Sequence, residues 1–97
     1  MPTYISLCRW TVQGAQTIKE SPARLDAAKK AFAEAGIKVL SFYLTTGSHD
    51  MVIITEAPND DALAKAMLST ISKGTITTQT SRAFTEDEYR ALIKSLD

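Results

Sequence analysis

The sequence predicts an α+β fold in which helices cover an antiparallel four-stranded sheet. Three observations indicate it: short segments rich in β-branched and aromatic residues alternate with period two, segments with helical spacing separate them, and Gly, Pro or Asn marks the boundaries. We expect the 97 residues to form a single domain, 1–97. Because a chain of this length buries only about 60 to 65 % of its unfolded surface, a partner surface would add stability.

The first half of the chain predicts a strand, a helix and a second strand. Residues 4–10 alternate strictly, and residues 14–20 are consistent with a short helical turn. Ser21 as N-cap and Pro22 at the first helical position begin the main helix, which we expect to end before Gly36. Residues 37–45 then form the second strand.

The second half continues with a tight turn, a strand, a helix, a strand and a last helix. Residues 47–50 form the turn, and the nearly continuous apolar run 51–56 is typical of a central strand. A helix follows from Pro58 to Gly74, and the Thr-rich segment 74–84 predicts the fourth strand. A capping box from Thr85 begins the last helix. Its apolar stripe comprises Tyr89, Leu92, Ile93 and Leu96.

This order predicts a ferredoxin-like βαββαβ sandwich with a C-terminal helix, in which the helices cover one face of the sheet. The side chains expected under the helices are Ile5, Leu7, Leu40, Phe42, Leu44, Val52 and Ile54. Those expected on the other face are Tyr4, Ser6, Cys8, Trp10, Tyr43, Met51 and Ile53. Because such a face is too apolar to stay in water, we expect a homodimer through the open sheet face.

Composition restricts the functional classes. Eleven basic and eleven acidic residues leave no net charge, which disfavours nucleic-acid binding. Cys8 is the single cysteine, so no internal disulfide forms and we expect a cytoplasmic location. No apolar run approaches the ~18 residues of a membrane span. No spacing of metal ligands and no glycine-rich phosphate loop occurs, so we expect neither a metal nor a cofactor.

Several segments, in the same order along almost the whole chain, resemble the GYD domain family of small bacterial proteins. They are residues 1–5, 14–25, 42–47, 56–60 and 80–85, with the sequences MPTYI, GAQTIKESPARL, FYLTTG, EAPND and TSRAFT. The resemblance implies the dimeric α/β barrel arrangement, in which two ferredoxin-like subunits pack sheet to sheet. It implies no established biochemical activity.

The signature for which the family is named is Gly, Tyr, Asp, and this chain departs from it. The signature maps onto Gly47 and Asp50, with His49 where the tyrosine is expected. Hairpin geometry alone explains the first two residues if Gly47 supplies a positive φ and Asp50 accepts hydrogen bonds from turn amides. His49 is the only histidine, the residue type best suited to proton transfer at physiological pH, so it is either a turn residue or a candidate acid or base.

We expect a homodimeric domain that binds a small organic molecule in a pocket at the strand ends. The candidate ligand-binding residues are Tyr4, Trp10, Tyr43, His49 and Arg82. An ion pair with a neighbouring carboxylate is the alternative role of the arginine. By analogy of fold alone, the protein is instead a cofactor-independent monooxygenase or isomerase in which His49 moves a proton. A non-catalytic structural or regulatory assembly module is the third possibility.

Overall fold

The computed structural model describes residues 1–97, and its elements lie close to the predicted ones. The strands are β1 (Thr3–Trp10), β2 (Lys38–Leu44), β3 (Met51–Glu56) and β4 (Ile76–Ala83). The helices are α1 (Val12–Gln16), α2 (Ser21–Glu34), α3 (Asp60–Ile71) and α4 (Glu86–Lys94), with a 3-10 turn at Ile18–Glu20. One capping prediction is wrong: α2 begins at Ser21 itself, and Glu20 occupies the N-cap position without a side-chain hydrogen bond.

The four strands form one antiparallel sheet in the order β2-β3-β1-β4. β1 pairs with β3 on one side and with β4 on the other, so that Thr3 lies opposite both Glu56 and Ala83. Two helical crossovers, one after β1 and one after β3, join strands that are not neighbours in the sheet. This is the order of a ferredoxin-like sandwich and confirms the predicted fold class.

The predicted assignment of side chains to the two sheet faces is largely wrong. Tyr4 belongs to the core cluster that contains Phe32 of α2 and Met67 of α3, so the even-numbered residues of β1 face the helices. Ser6 and Cys8 on the same face are fully buried. Met51 and Ile53 of β3 join them in the core, contrary to the prediction.

The open face of the sheet carries four residues that were expected under the helices, namely Ile5, Leu7, Val52 and Ile54, which are partly exposed. Tyr43, which is 60 % exposed, lies on the open face as predicted, and Phe42 lies on the helix side as predicted. A register shift between Val39 and Ser41 of β2 brings Phe42 opposite Ile53, on the helix side. The shift separates Phe42 from the apolar residues of the open face.

Two glycines, Gly36 after α2 and Gly74 after α3, adopt positive φ values of 79° and 82° and end these helices as predicted. Gly47 does not have a positive φ, which corrects the expectation for the β2-β3 turn. A Cβ atom at Gly47 would meet no atom within 4 Å. The glycine of this turn is therefore not required by the local backbone geometry.

The capping box of α4 is present: the Thr85 hydroxyl accepts from the Glu88 amide and the Glu88 carboxylate accepts from the Thr85 amide. These bonds hold the pKa of Glu88 below its ordinary value, chiefly through the backbone amide. α4 nevertheless packs closely against no other helix or strand. Its apolar stripe is exposed, which leaves this helix without a partner within the chain.

The backbone of Gly14 in α1 lies close against the backbone of Thr75, just before β4. The Thr11 amide donates to the Thr75 carbonyl oxygen at 3.0 Å, and the Thr11 hydroxyl donates to the Gly74 carbonyl oxygen at 2.6 Å. A Cβ atom on Gly14 would lie only 2.0 Å from the same Thr75 oxygen. Only glycine therefore fits at position 14.

We expect Gly14→Ala to lower the free energy of unfolding by more than about 2 kcal/mol, because the methyl group must displace backbone atoms of a buried contact. Gly47→Ala is the matched control and should change it by less than about 0.5 kcal/mol. Urea unfolding followed by circular dichroism measures both. Equal effects of the two substitutions would contradict the close approach at Gly14.

Candidate functional site

A cleft of about 700 Å³ lies between the sheet and the helices α2 and α3. Cys8, Met51 and Ile53 of the sheet form its floor, and small side chains of α2 such as Ala28 form one wall. Most of the lining is apolar. The two helices touch each other little, so the space between them stays open down to the sheet. A volume of this size suits a small organic molecule.

Trp10 lies at one end of the cleft, on the last residue of β1. Its backbone amide donates to Asp50 Oδ2 at 3.1 Å, which ties the end of β1 to the β2-β3 turn. Its indole Nε1 is buried and has no hydrogen-bond partner. A buried donor without a partner costs free energy, so this nitrogen is the polar group of the cleft region that would gain most from an acceptor.

Three cations and one carboxylate line the cleft together with its apolar surface: Arg24, Lys65, Lys73 and Asp61. The Arg24 guanidinium donates to the carbonyl oxygens of Thr17 at 3.1 Å and Gly14 at 3.3 Å, so this arginine braces the segment between β1 and α2. The two lysines are exposed and carry no ion pair. The charged part of the lining is therefore positive on balance.

Tyr4 and Arg82 lie together, but in a second cavity, of about 450 Å³, on the β4 side of α3. The Tyr4 hydroxyl donates to the Asp60 carboxylate, and this hydrogen bond raises the tyrosine pKa. The Arg82 guanidinium lies over the Phe84 ring at 4.3 Å and pairs with Glu88 at 3.6 Å. Both predicted residues therefore already have partners within the chain.

Tyr43 and His49 lie outside both cavities. Tyr43 is on the open face of the sheet, paired in register with Val52. His49 is partly exposed in the β2-β3 turn, where its Nδ1 is hydrogen-bonded to Ser48 Oγ at 3.3 Å and its carbonyl oxygen accepts from the Thr45 hydroxyl at 2.5 Å. The five predicted ligand-binding residues therefore do not form one site.

The role expected for Asp50 also changes. Its carboxylate accepts from the Trp10 amide of β1, rather than from amides within its own turn. Its backbone amide donates to the Cys8 carbonyl oxygen at 2.9 Å, and its carbonyl oxygen accepts from the Thr45 amide at 2.8 Å. Asp50 thus joins three segments, and this position is a structural link to the strand that carries Trp10.

The alanines of α2 that line the cleft were not predicted as site residues, although Ala28 and Ala35 lie on the apolar stripe of this helix. Ala28, Ala31 and Ala35 follow one another at spacings of three and four along α2 and its C-cap, and all line the cleft. This helical stripe of small side chains was the available signal, because alanines facing a sheet leave volume that larger residues would fill.

No group of three or more His, Cys, Asp or Glu side chains is placed to hold a metal ion. None of the helices has the length and hydropathy of a membrane span. Cys8 lies on the cleft floor, and burial raises the pKa of its thiol to about 11. At neutral pH this thiol is protonated, so it acts as a small apolar side chain rather than a nucleophile.

The strand order and the helix-covered face define a small α+β domain of the ferredoxin-like type. The chain belongs to the GYD domain family, whose model matches residues 4–93. It is 32% identical over 95 residues to a glutamine synthetase and cystathionine beta-lyase binding protein of Thermus thermophilus, a match that covers 97% of this chain and 100% of the relative. The crystal structure of TTHA0845 from the same species is similar, with a TM-score of 0.55, 25% identity, and coverage of 88% of this chain and 95% of that one.

We expect Cys8 in the folded protein to react with the disulfide reagent 5,5′-dithiobis(2-nitrobenzoate) at pH 8 at least 100-fold more slowly than in the urea-unfolded chain. A pKa of about 11 instead of 9.0 leaves roughly one hundredth of the thiolate, and burial restricts access further. The rate of absorbance change at 412 nm under both conditions measures the ratio. Equal rates would show that the thiol is accessible and ionised.

Proposed function

We propose that this protein is a homodimeric domain that binds a small apolar organic molecule in the cleft between the sheet and the helices α2 and α3. The cleft itself carries the proposal. Its volume of about 700 Å³ lies within the usual range of ligand sites, and its floor and walls are mainly apolar. An unfilled apolar space of this size leaves its lining side chains without packing partners, which a ligand would supply.

The charges of the lining favour a ligand with one anionic end. Lys65 and Lys73 are exposed there, and Asp61 is the one carboxylate of the lining. Long basic side chains keep their ammonium groups in water while they contact apolar surface, so they suit an amphiphile at the mouth of a cleft. Small aromatic or aliphatic carboxylic acids combine these properties and are the class that we propose.

The second candidate function is binding to another protein. A relative that is 32% identical over nearly the whole chain is named as a binding protein of glutamine synthetase and cystathionine beta-lyase. The exposed apolar residues of α4 and of the open sheet face are surfaces of the kind that protein partners cover. Co-elution of the purified chain with either purified enzyme on gel filtration tests this candidate, and separate elution at micromolar concentrations would argue against it.

The enzymatic alternative has only the analogy of fold in its favour. His49, the candidate acid or base, is not among the residues that line the cleft. Its ring is hydrogen-bonded to Ser48 and its carbonyl oxygen to Thr45, and neither residue is a carboxylate that would orient the ring for proton transfer.

We expect Ala28→Phe to abolish binding of the fluorescent apolar anion 8-anilinonaphthalene-1-sulfonate within the cleft, because the benzyl group fills space that the alanine leaves. Ala33→Phe, an exposed substitution on the same helix that does not line the cleft, is the matched control and should bind as the wild type does. Fluorescence titration measures the affinity, and competition with a panel of carboxylic acids tests the ligand class.

Circular dichroism should show both variants folded. If Ala28→Phe binds the dye as tightly as Ala33→Phe, the cleft is not the binding site. If every acid in the panel fails to displace the dye from the wild type, the ligand class is wrong.

We expect Val52→Glu to weaken the homodimer strongly, because it places a charge in the centre of the open sheet face. Ala33→Glu adds the same charge to the exposed surface of α2 and should leave the mass unchanged. Light scattering coupled to gel filtration measures the mass at micromolar concentration. A monomeric wild type would refute dimerisation through the sheet.

A further inference from the structure

α4 is a well-formed amphipathic helix that buries nothing. Four apolar side chains form its stripe, three within the helix and one two residues after its end, and all are at least 49 % exposed. They are Tyr89 at 57 %, Leu92 at 49 %, Ile93 at 51 % and Leu96 at 70 %. Phe84, just before the helix, is 52 % exposed as well. A row of large apolar residues on one face of a helix is the pattern that packing against another surface produces.

The helix is too short to be stable without such packing. α4 has nine residues, whereas isolated helices of fewer than about 12 to 15 residues are marginal in water. The capping box and the Arg90–Glu86 pair at 2.8 Å contribute local stability, but an exposed ion pair contributes little. A surface that covers the apolar stripe is therefore the missing source of stability.

The overall dimensions point to the same missing surface. The accessible area of 6586 Å² exceeds the roughly 5,500 Å² of a compact monomer of this mass. The radius of gyration of 14.7 Å likewise exceeds the roughly 12.5 Å of a compact chain of this length. The excess area of the whole chain, to which the cleft and the open sheet face also contribute, is on the order of 1,000 Å², and each partner of a standard interface buries ~800 Å².

We propose that α4 is an exchanged arm, whose apolar stripe packs on a second copy of this chain; this inference rests on the homodimer of the proposed function. The arm follows β4, an edge strand, so it leaves the sheet at its margin, and it packs closely against no other helix or strand of its own chain. In a two-fold symmetric dimer each arm packs on the other copy, so the apolar area is buried twice. The zero net charge of the chain opposes no such self-association.

Side-chain contacts hold the segment that joins β4 to α4. The Arg82 guanidinium stacks on Phe84 and pairs with Glu88, one residue on each side of the turn that leads into α4. Arg82 itself is hydrogen-bonded to the Thr3 carbonyl oxygen of β1 at 3.4 Å. These contacts connect the direction of α4 to the central strand of the sheet, while the stripe stays free to contact another copy.

Leu92→Glu tests the proposal, with Ala91→Glu as the matched control. The two positions are neighbours on α4, but Ala91 lies on the face opposite to the apolar stripe. We expect Leu92→Glu to raise the dimer dissociation constant at least 100-fold in sedimentation equilibrium, because each dimer carries the change twice, and Ala91→Glu to leave it unchanged. Both residues are exposed, so neither substitution disturbs the core, and circular dichroism checks this.

A cross-linking experiment identifies the surface that the arm contacts. The photoreactive residue p-benzoyl-phenylalanine in place of Leu92 should give a covalent dimer on irradiation, and the same residue in place of Ala91 should not. A monomeric wild type, or cross-links from position 92 only within one chain, would overturn the proposal. A dimer that Leu92→Glu leaves intact and Val52→Glu dissociates would also overturn it, while the proposed sheet interface would stand.

Discussion

The structure depends on the central position of β1. This strand pairs with β4 over residues 3–10 and with β3 over residues 3–8, so two ladders of hydrogen bonds fix the direction of the side chains in residues 3–8. Its even-numbered residues Tyr4, Ser6 and Cys8 are buried under the helices. The hydroxyl groups there have partners, Asp60 for Tyr4 and Thr80 Oγ1 at 2.8 Å for Ser6. The floor of the cleft and the open face are therefore two sides of one strand.

The size of these helix-facing residues explains why the cleft exists. Cys8 on the cleft floor is small, and the stripe of α2 that lines the cleft is rich in alanine. Small residues leave space between the layers where no larger side chain fills it, and α2 and α3 make few contacts with each other. The larger apolar residues of β1, Ile5 and Leu7, point the other way. Within residues 5–8, β1 thus places its larger apolar side chains on the open face and its small side chains under the helices.

The sequence predicted the elements well because their signals are local. The Thr85 capping box, the glycines after α2 and α3 and the period-two pattern of β1 each operate within a few residues. The choice between the two faces could not be predicted in this way, since alternation divides a strand into two sets without stating which set meets the helices. The register shift in β2 and the positions of Tyr43 and Trp10 on opposite faces are likewise properties of the assembled sheet. The candidate site was therefore only partly predictable: Trp10 lines the cleft, whereas His49 does not.

Because the core is small, the fold would gain stability if the open sheet face and the apolar stripe of α4 were covered. Only 12 of the 97 residues are buried, so the chain gains little apolar burial for the conformational entropy that it loses on folding. Further burial is available at the open sheet face, at α4 and in the cleft, all of which contain apolar side chains. Anything that binds the folded chain at these places, and not the unfolded one, stabilises the fold by mass action. Because alternate residues of β1 contribute to the open face and to the cleft, association and ligand binding would both stabilise the same central strand.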